Sequence, residues 1–129
     1  MSIPSGSGTE VLRRNGIYNQ STTLTNIDWA QAVQTAAGNS SGTIAVPADV
    51  IITILNIIWC NRNGSAITVD IIIDGTGDAK KILKSQSIGA NGTFVFSDKL
   101  VLWAGDELQF DSSTANTDVH LNYIYQDWT

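Results

Sequence analysis

The chain has one cysteine, one histidine and seven basic residues in 129, and each scarcity removes a class of function. Cys60 has no partner for an internal disulfide. Cys60 and His120 together fall short of the thiolate and imidazole sets of a structural zinc site, and they exclude most nucleophile and base constellations. Seven Lys and Arg against twelve Asp and Glu leave a net charge of −5, and Arg13-Arg14 and Lys80-Lys81 are the nearest approach to a basic patch. Direct binding of nucleic acid is therefore not expected. No apolar run reaches the roughly 18–20 residues that a membrane-spanning helix needs, because Asn56 and the polar stretch after Cys60 interrupt the longest one. The opening MSIPSGSGTE has neither a cationic start nor an apolar h-region, so no signal peptide and a cytoplasmic site of synthesis are expected. Charged residues make up only 15% of the chain, against a usual value of about 25%, which suggests a surface that is covered in use.

What the chain does have is β-branched residues, densest from Val50 to Asp74. This stretch reads as two strands joined by Asn61-Arg62-Asn63-Gly64-Ser65, with Asn-Gly supplying the positive φ of a hairpin turn. In the second strand Ile67, Val69, Ile71 and Ile73 alternate with Thr68, Asp70 and Asp74, so one face is core and the other mostly wet, with Ile72 the exception. The first strand is apolar on both faces: Ile51, Leu55, Ile57 and Trp59 on one, and Val50, Ile52, Ile54 and Ile58 on the other. Either a second layer of this chain or another subunit covers the second face.

Elsewhere the strands are short and separated by Gly or Asn turns. They include a short strand between Thr9 and Tyr18, and others at Thr43–Val46, Lys80–Ile88, Thr93–Phe96, Leu100–Trp103, Glu107–Asp111 and around Val119–Tyr125. Gly89-Ala90-Asn91-Gly92 reads as a second hairpin turn. Residues 29–37 are either a short helix capped by Asp28 and stopped by Gly38, or an irregular insertion. The spacing is that of an all-β fold, a single antiparallel β-sandwich of jelly-roll or immunoglobulin-like topology. Its domain is expected over residues 11–129, behind an extended N-terminal arm over residues 1–10 whose Ser, Gly and Pro content buries little.

Candidate chemistry is sparse. Asp74-Gly75-Thr76-Gly77-Asp78 brings two carboxylates into one loop but lacks the spacing of an EF-hand, and a solvated turn is the better reading. His120 alternates with core residues and is expected to face solvent. The four tryptophans, Trp29, Trp59, Trp103 and Trp128, offer either a sugar-stacking platform or core and interface aromatics, the second being favoured. No acid, base or nucleophile set stands out, so no catalysis, cofactor or metal is expected.

Several stretches resemble small virion structural proteins of tailed bacteriophages: the opening Ser5-Gly6-Ser7-Gly8-Thr9-Glu10-Val11-Leu12, the Ile57-Ile58-Trp59-Cys60-Asn61 segment, FVFSDKLVL at 94–102, Ala104-Gly105-Asp106-Glu107-Leu108, and the ending YIYQDWT. Two departures stand out: Asp49 follows Val46-Pro47-Ala48 where such proteins usually have Gly, and the segment from Asp28 to Gly42 looks longer. The resemblance implies a non-catalytic β-sandwich in the virion, a capsid decoration or cement protein, or else a neck, tail or host-adhesion (glycan-binding) component. Its partner would be the major capsid protein or another virion protein. Because the first strand is apolar on both faces and Trp128 has little chain after it to cover it, Ile52, Ile54, Ile58 and Trp128 are the expected interface of a homo-oligomer, a dimer or trimer. Ile3, Pro4, Thr9, Glu10 and Val11 are the expected shell-anchoring arm.

Overall fold

The structure, a computed structural model, describes residues 9–31, 34–35, 42–75, 77 and 79–128. Within them ten strands form two sheets. One sheet contains β1 (Thr9–Gln20), β3 (Gln34–Thr35), β4 (Val50–Asn61), β7 (Thr93–Phe96), β8 (Leu100–Trp103) and β10 (Thr117–Asp127), in the order β3-β1-β10-β4-β7, with β8 also paired to β4. The other contains β2 (Thr25–Asn26), β5 (Ile67–Asp74), β6 (Ala79–Ile88) and β9 (Glu107–Ser112), in the order β2-β9-β5-β6. We call them the large and small sheets.

β7 and β8 act as one edge strand broken at Ser97-Asp98-Lys99, since β7 pairs with Ile57–Cys60 and β8 with Ile51–Ile54 of the same β4. Counted so, and setting the two-residue β3 aside, eight strands remain. Only the β5–β6 connection stays within a sheet; every other one crosses between layers. This wrapping is the jelly roll, and it resolves the choice against the immunoglobulin-like order.

The topology corrects the sequence reading at two turns. β4 and β5 are not a hairpin: they lie in different sheets, as do β6 and β7 on either side of Gly89–Gly92. Both turns exist locally, the second closed by Gly92 N–H donating to Gly89 O at 2.9 Å with Asn91 at φ 55°. Turn chemistry decides where a chain reverses, but not which strand it then meets.

The buried Asn61 holds both corners together. Its Nδ2 donates to Ser65 O (2.9 Å), Ile88 O (3.2 Å) and Gly89 O (3.0 Å), while its Oδ1 accepts from Asn63 N–H at 2.9 Å.

A bulge explains why β4 is apolar on both faces. Asn122 of β10 pairs with Asn56 but the next residue, Tyr123, pairs with Ile54, so Leu55 has no partner and the alternation changes phase there. Before the bulge Val50, Ile52 and Ile54 point inward; after it Ile57 and Trp59 do, all of them buried. Ile52 and Ile54, expected at a subunit interface, are therefore core residues of this chain, each with no exposed surface. Trp59 meets Phe110 of the small sheet edge-to-face, centroids 5.5 Å apart, and its Nε1 donates to the Thr117 hydroxyl. The expected inward set of β5, Ile67, Val69, Ile71 and Ile73, is buried as well.

Thr9 and Glu10 already belong to β1, opposite Asp127 and Gln126. Strand pairing thus already includes Thr9 and Glu10, which the sequence reading assigned to the arm. Residues 1–8, with Ile3 and Pro4, lie outside the described residues. Between Trp29 and residue 37 the described residues form a turn at 29–30 and the short strand β3, with no helix. Asp28 caps that single turn, its Oδ1 accepting from Ala30 N–H at 3.0 Å and Thr43 N–H at 3.2 Å. Thr43–Val46, expected as a strand, contributes only an isolated bridge from Ala45 to Glu107.

Asp49, where the resembled proteins usually have glycine, sits at φ 60°, and its carbonyl accepts from Trp128 N–H at 2.9 Å. Aspartate tolerates this left-handed region; a β-branched residue does not. Asp49→Gly is expected to change stability by less than about 1 kcal/mol, and Asp49→Val to cost about 1–2 kcal/mol, as urea unfolding would show.

Candidate functional site: the outer face of the large sheet

Strand register places the outward side chains of the large sheet in rows. The central row is Leu12, Ile124, Thr53 and Val101, one residue each from β1, β10, β4 and β8. On one side lies Glu10–Gln126–Ile51–Trp103, and on the other Arg14–Asn122–Asn56, followed by Gly16–His120–Ile58–Val95. Leu12 is 70% exposed, Val101 61%, Trp103 55% and Val95 54%, while Ile51, Ile58 and Ile124 are half-buried beside them. Across these four rows the only charges are Glu10, Arg14 and whatever His120 carries. About half of the positions on this face are apolar, and the polar Arg14–Asn122–Asn56 row separates the central row from Ile58 and Val95.

His120 is exposed on this face as expected, with Nε2 3.2 Å from Asn122 Oδ1. Asn122 Nδ2 in turn donates to Asn56 Oδ1 at 2.9 Å. Gly16 allows β1 to lie close to β10, because a Cβ there would sit 2.7 Å from the Val119 carbonyl oxygen. With no side chain at Gly16, a shallow apolar hollow of about 280 Å³ opens among Tyr18, Ile58, Cys60 and His120. Cys60 is half-buried in its wall rather than in the core.

Of the four expected interface residues, only Ile58 lies on this face. Trp128 is half-buried, tied by its backbone to Asp49. Thr9, Glu10 and Val11 form the start of β1, where the strand is exposed on both faces. Leu12, Val95 and Val101 were missed by sequence reasoning. Nothing in a local window distinguishes them from core residues, since each is one apolar residue among others until strand order is known. The tryptophans do not form one platform: Trp29 and Trp59 are sealed in the core, and only Trp103 stands fully outward.

The outer face of the small sheet is polar. Asp70 and Asp111 stand directly opposite each other on β5 and β9. Burial pushes Asp70 upward, but the Lys81 ammonium at 2.7 Å, the Ser85 N–H and the charge of Lys84 outweigh it and hold the carboxyl below its ordinary value. Asp111 is raised, first by burial and then by the charge of Asp70, and its Oδ1 is buried without a hydrogen-bond partner. The signs are opposite. Asp70 stabilises the fold above its unfolded pKa of about 3.9 and loses that as pH falls, whereas Asp111 favours the fold when protonated and opposes it as pH rises through its raised value. Asp111→Asn is expected to stabilise the protein at pH 7 by up to about 1 kcal/mol, and by progressively less toward pH 4, in thermal melts at the two pH values.

Among the described residues no group of three or more His, Cys, Asp or Glu is placed to hold a metal ion. Asp78, half of the acidic pair in the Asp74 loop, lies outside the described residues. A second hollow of about 390 Å³, at the β1 edge, is lined by Arg13, Arg14, Trp29, Ala30, Gln31 and Tyr123. Arg13 is already stacked on the Tyr125 ring at 4.0 Å.

No family model matches the chain, and no curated protein matches it. Among solved structures, the chain is similar to one described as the structure of infectious bursal disease virus, Gx strain, at 9% identity and a TM-score of 0.43, over 98% of this chain and 32% of that one. The chain spans about a third of that protein's length, and at this TM-score the likeness carries no argument about function.

Proposed function

We propose that this chain is a structural protein of a bacteriophage virion, a capsid decoration or cement protein that works by surface contact rather than catalysis. The observation that carries the reading is the outer face of the large sheet, where Leu12, Ile124, Val101, Trp103 and Val95 present apolar surface almost free of charge. A jelly roll alone does not decide the matter, since the fold serves capsids, lectins and enzymes alike. The resemblance of the opening, the 94–102 segment and the YIYQDWT ending to phage virion proteins supplies the rest. In this reading the chain is made in the host cytoplasm and binds the major capsid protein or another virion protein, with its N-terminal segment as the tether.

The test separates heads from tails of purified particles and counts this chain in each fraction by mass spectrometry. Many copies on heads are expected. A few copies confined to necks or tails would replace the cement role with a connector role, and absence from the particle would overturn the reading.

A further inference from the structure

We propose that a second copy of this chain docks on the outer face of the large sheet, face to face, about a two-fold axis lying along the Leu12–Ile124–Thr53–Val101 row. The inference goes beyond the virion reading: it assigns this face to contact between two copies, so that a virion partner would meet the remaining surface of the dimer. The argument is charge complementarity within a self-complementary surface. In a two-fold interface, residue i meets j and j meets i. With the axis along the central row, each member of that row meets its own copy, which suits Leu12, Ile124 and Val101. The flanking rows then exchange places. Glu10, two residues before Leu12, comes to lie over Arg14 of the second copy, two residues after it, and the pair forms twice. Gln126 comes over Asn122, amide on amide. Trp103 comes over the break between β7 and β8, where the exposed Lys99 offers a cation to the indole face.

The other in-plane axis, parallel to the strands, is disfavoured by the same charges. It would stack β1 over β8 and bring Arg14 against Lys99, cation on cation. Arg14 is exposed and forms no ion pair among the described residues; Glu10 accepts only an exposed hydrogen bond from Gln126 Nε2 at 3.2 Å. Both charges are thus available to a partner.

Sedimentation equilibrium of the purified chain is expected to show a dimer. Leu12→Asp and Val101→Asp, both at exposed positions, should weaken it by roughly 100-fold or more while leaving the circular dichroism unchanged. Arg14→Glu alone should weaken it, because two Glu pairs then face each other, and the double swap Glu10→Arg with Arg14→Glu should bring it back to within about tenfold of the wild type. A chain that stays monomeric at about 100 µM, a trimer, a dimer indifferent to Val101→Asp, or a double swap that restores nothing would each overturn the arrangement.

Discussion

Ile54→Asp is expected to yield no stably folded protein, whereas Ile58→Asp, four residues along the same strand, is expected to fold. A strand of period two puts both on one face. The bulge at Leu55 separates them, leaving Ile54 without exposed surface between the sheets and Ile58 half-buried on the outside. An aspartate at 54 loses the isoleucine's contacts and must either bury a charge or bind a proton to avoid doing so. Together these cost at least about 4 kcal/mol, against a total stability of about 5–15 kcal/mol for a small domain. Ile54→Val removes one methyl group and is expected to cost about 0.5–1.5 kcal/mol. Soluble yield, circular dichroism and urea unfolding of the three variants provide the check. A folded, monomeric Ile54→Asp would return the residue to a subunit interface.

Asn61→Ala is the second large effect, at about 3 kcal/mol. The amide satisfies the Ser65, Ile88 and Gly89 carbonyls and the Asn63 N–H from one buried position. Its removal takes this partner from the Ser65 and Ile88 carbonyls and the Asn63 N–H, while Gly89 O keeps the Gly92 N–H; each buried unmet group costs about 1–3 kcal/mol, moderated where water reaches the corner. Asn61→Asp keeps the acceptor for Asn63 but turns the donor toward three carbonyl oxygens into an anion, so it is expected to be no better than alanine. Because Asn61 fastens the end of β4 to the β6–β7 turn, its loss is also expected to speed hydrogen exchange selectively at residues 61–65 and 88–92. Uniform exchange across the molecule would show that the corner contributes no more than average.

The class of fold was legible in the chain itself. Short runs of Val, Ile and aromatic residues, Gly and Asn turns, and the alternation of Ile67, Val69, Ile71 and Ile73, broken only at Ile72, are local properties that burial on one face imposes directly. The turns at Asn61–Ser65 and Gly89–Gly92 were equally local. Their strand partners were not, because in a jelly roll nearly every turn passes between layers, and the ladder a strand joins is set by residues far away in sequence. The phase of β4 was hidden for the same reason. A bulge is a mismatch between two strands, and the residue that reveals it, Tyr123 opposite Ile54, lies far along the chain. So the sequence by itself determined that this protein belongs to the all-β class and is poor in charge, cysteine and histidine. Only the tertiary structure decided which isoleucines are core, because inside and outside are properties of two sheets facing each other. The same facing assembled Leu12, Ile124, Val101 and Trp103, drawn from three distant parts of the chain, into one outward surface.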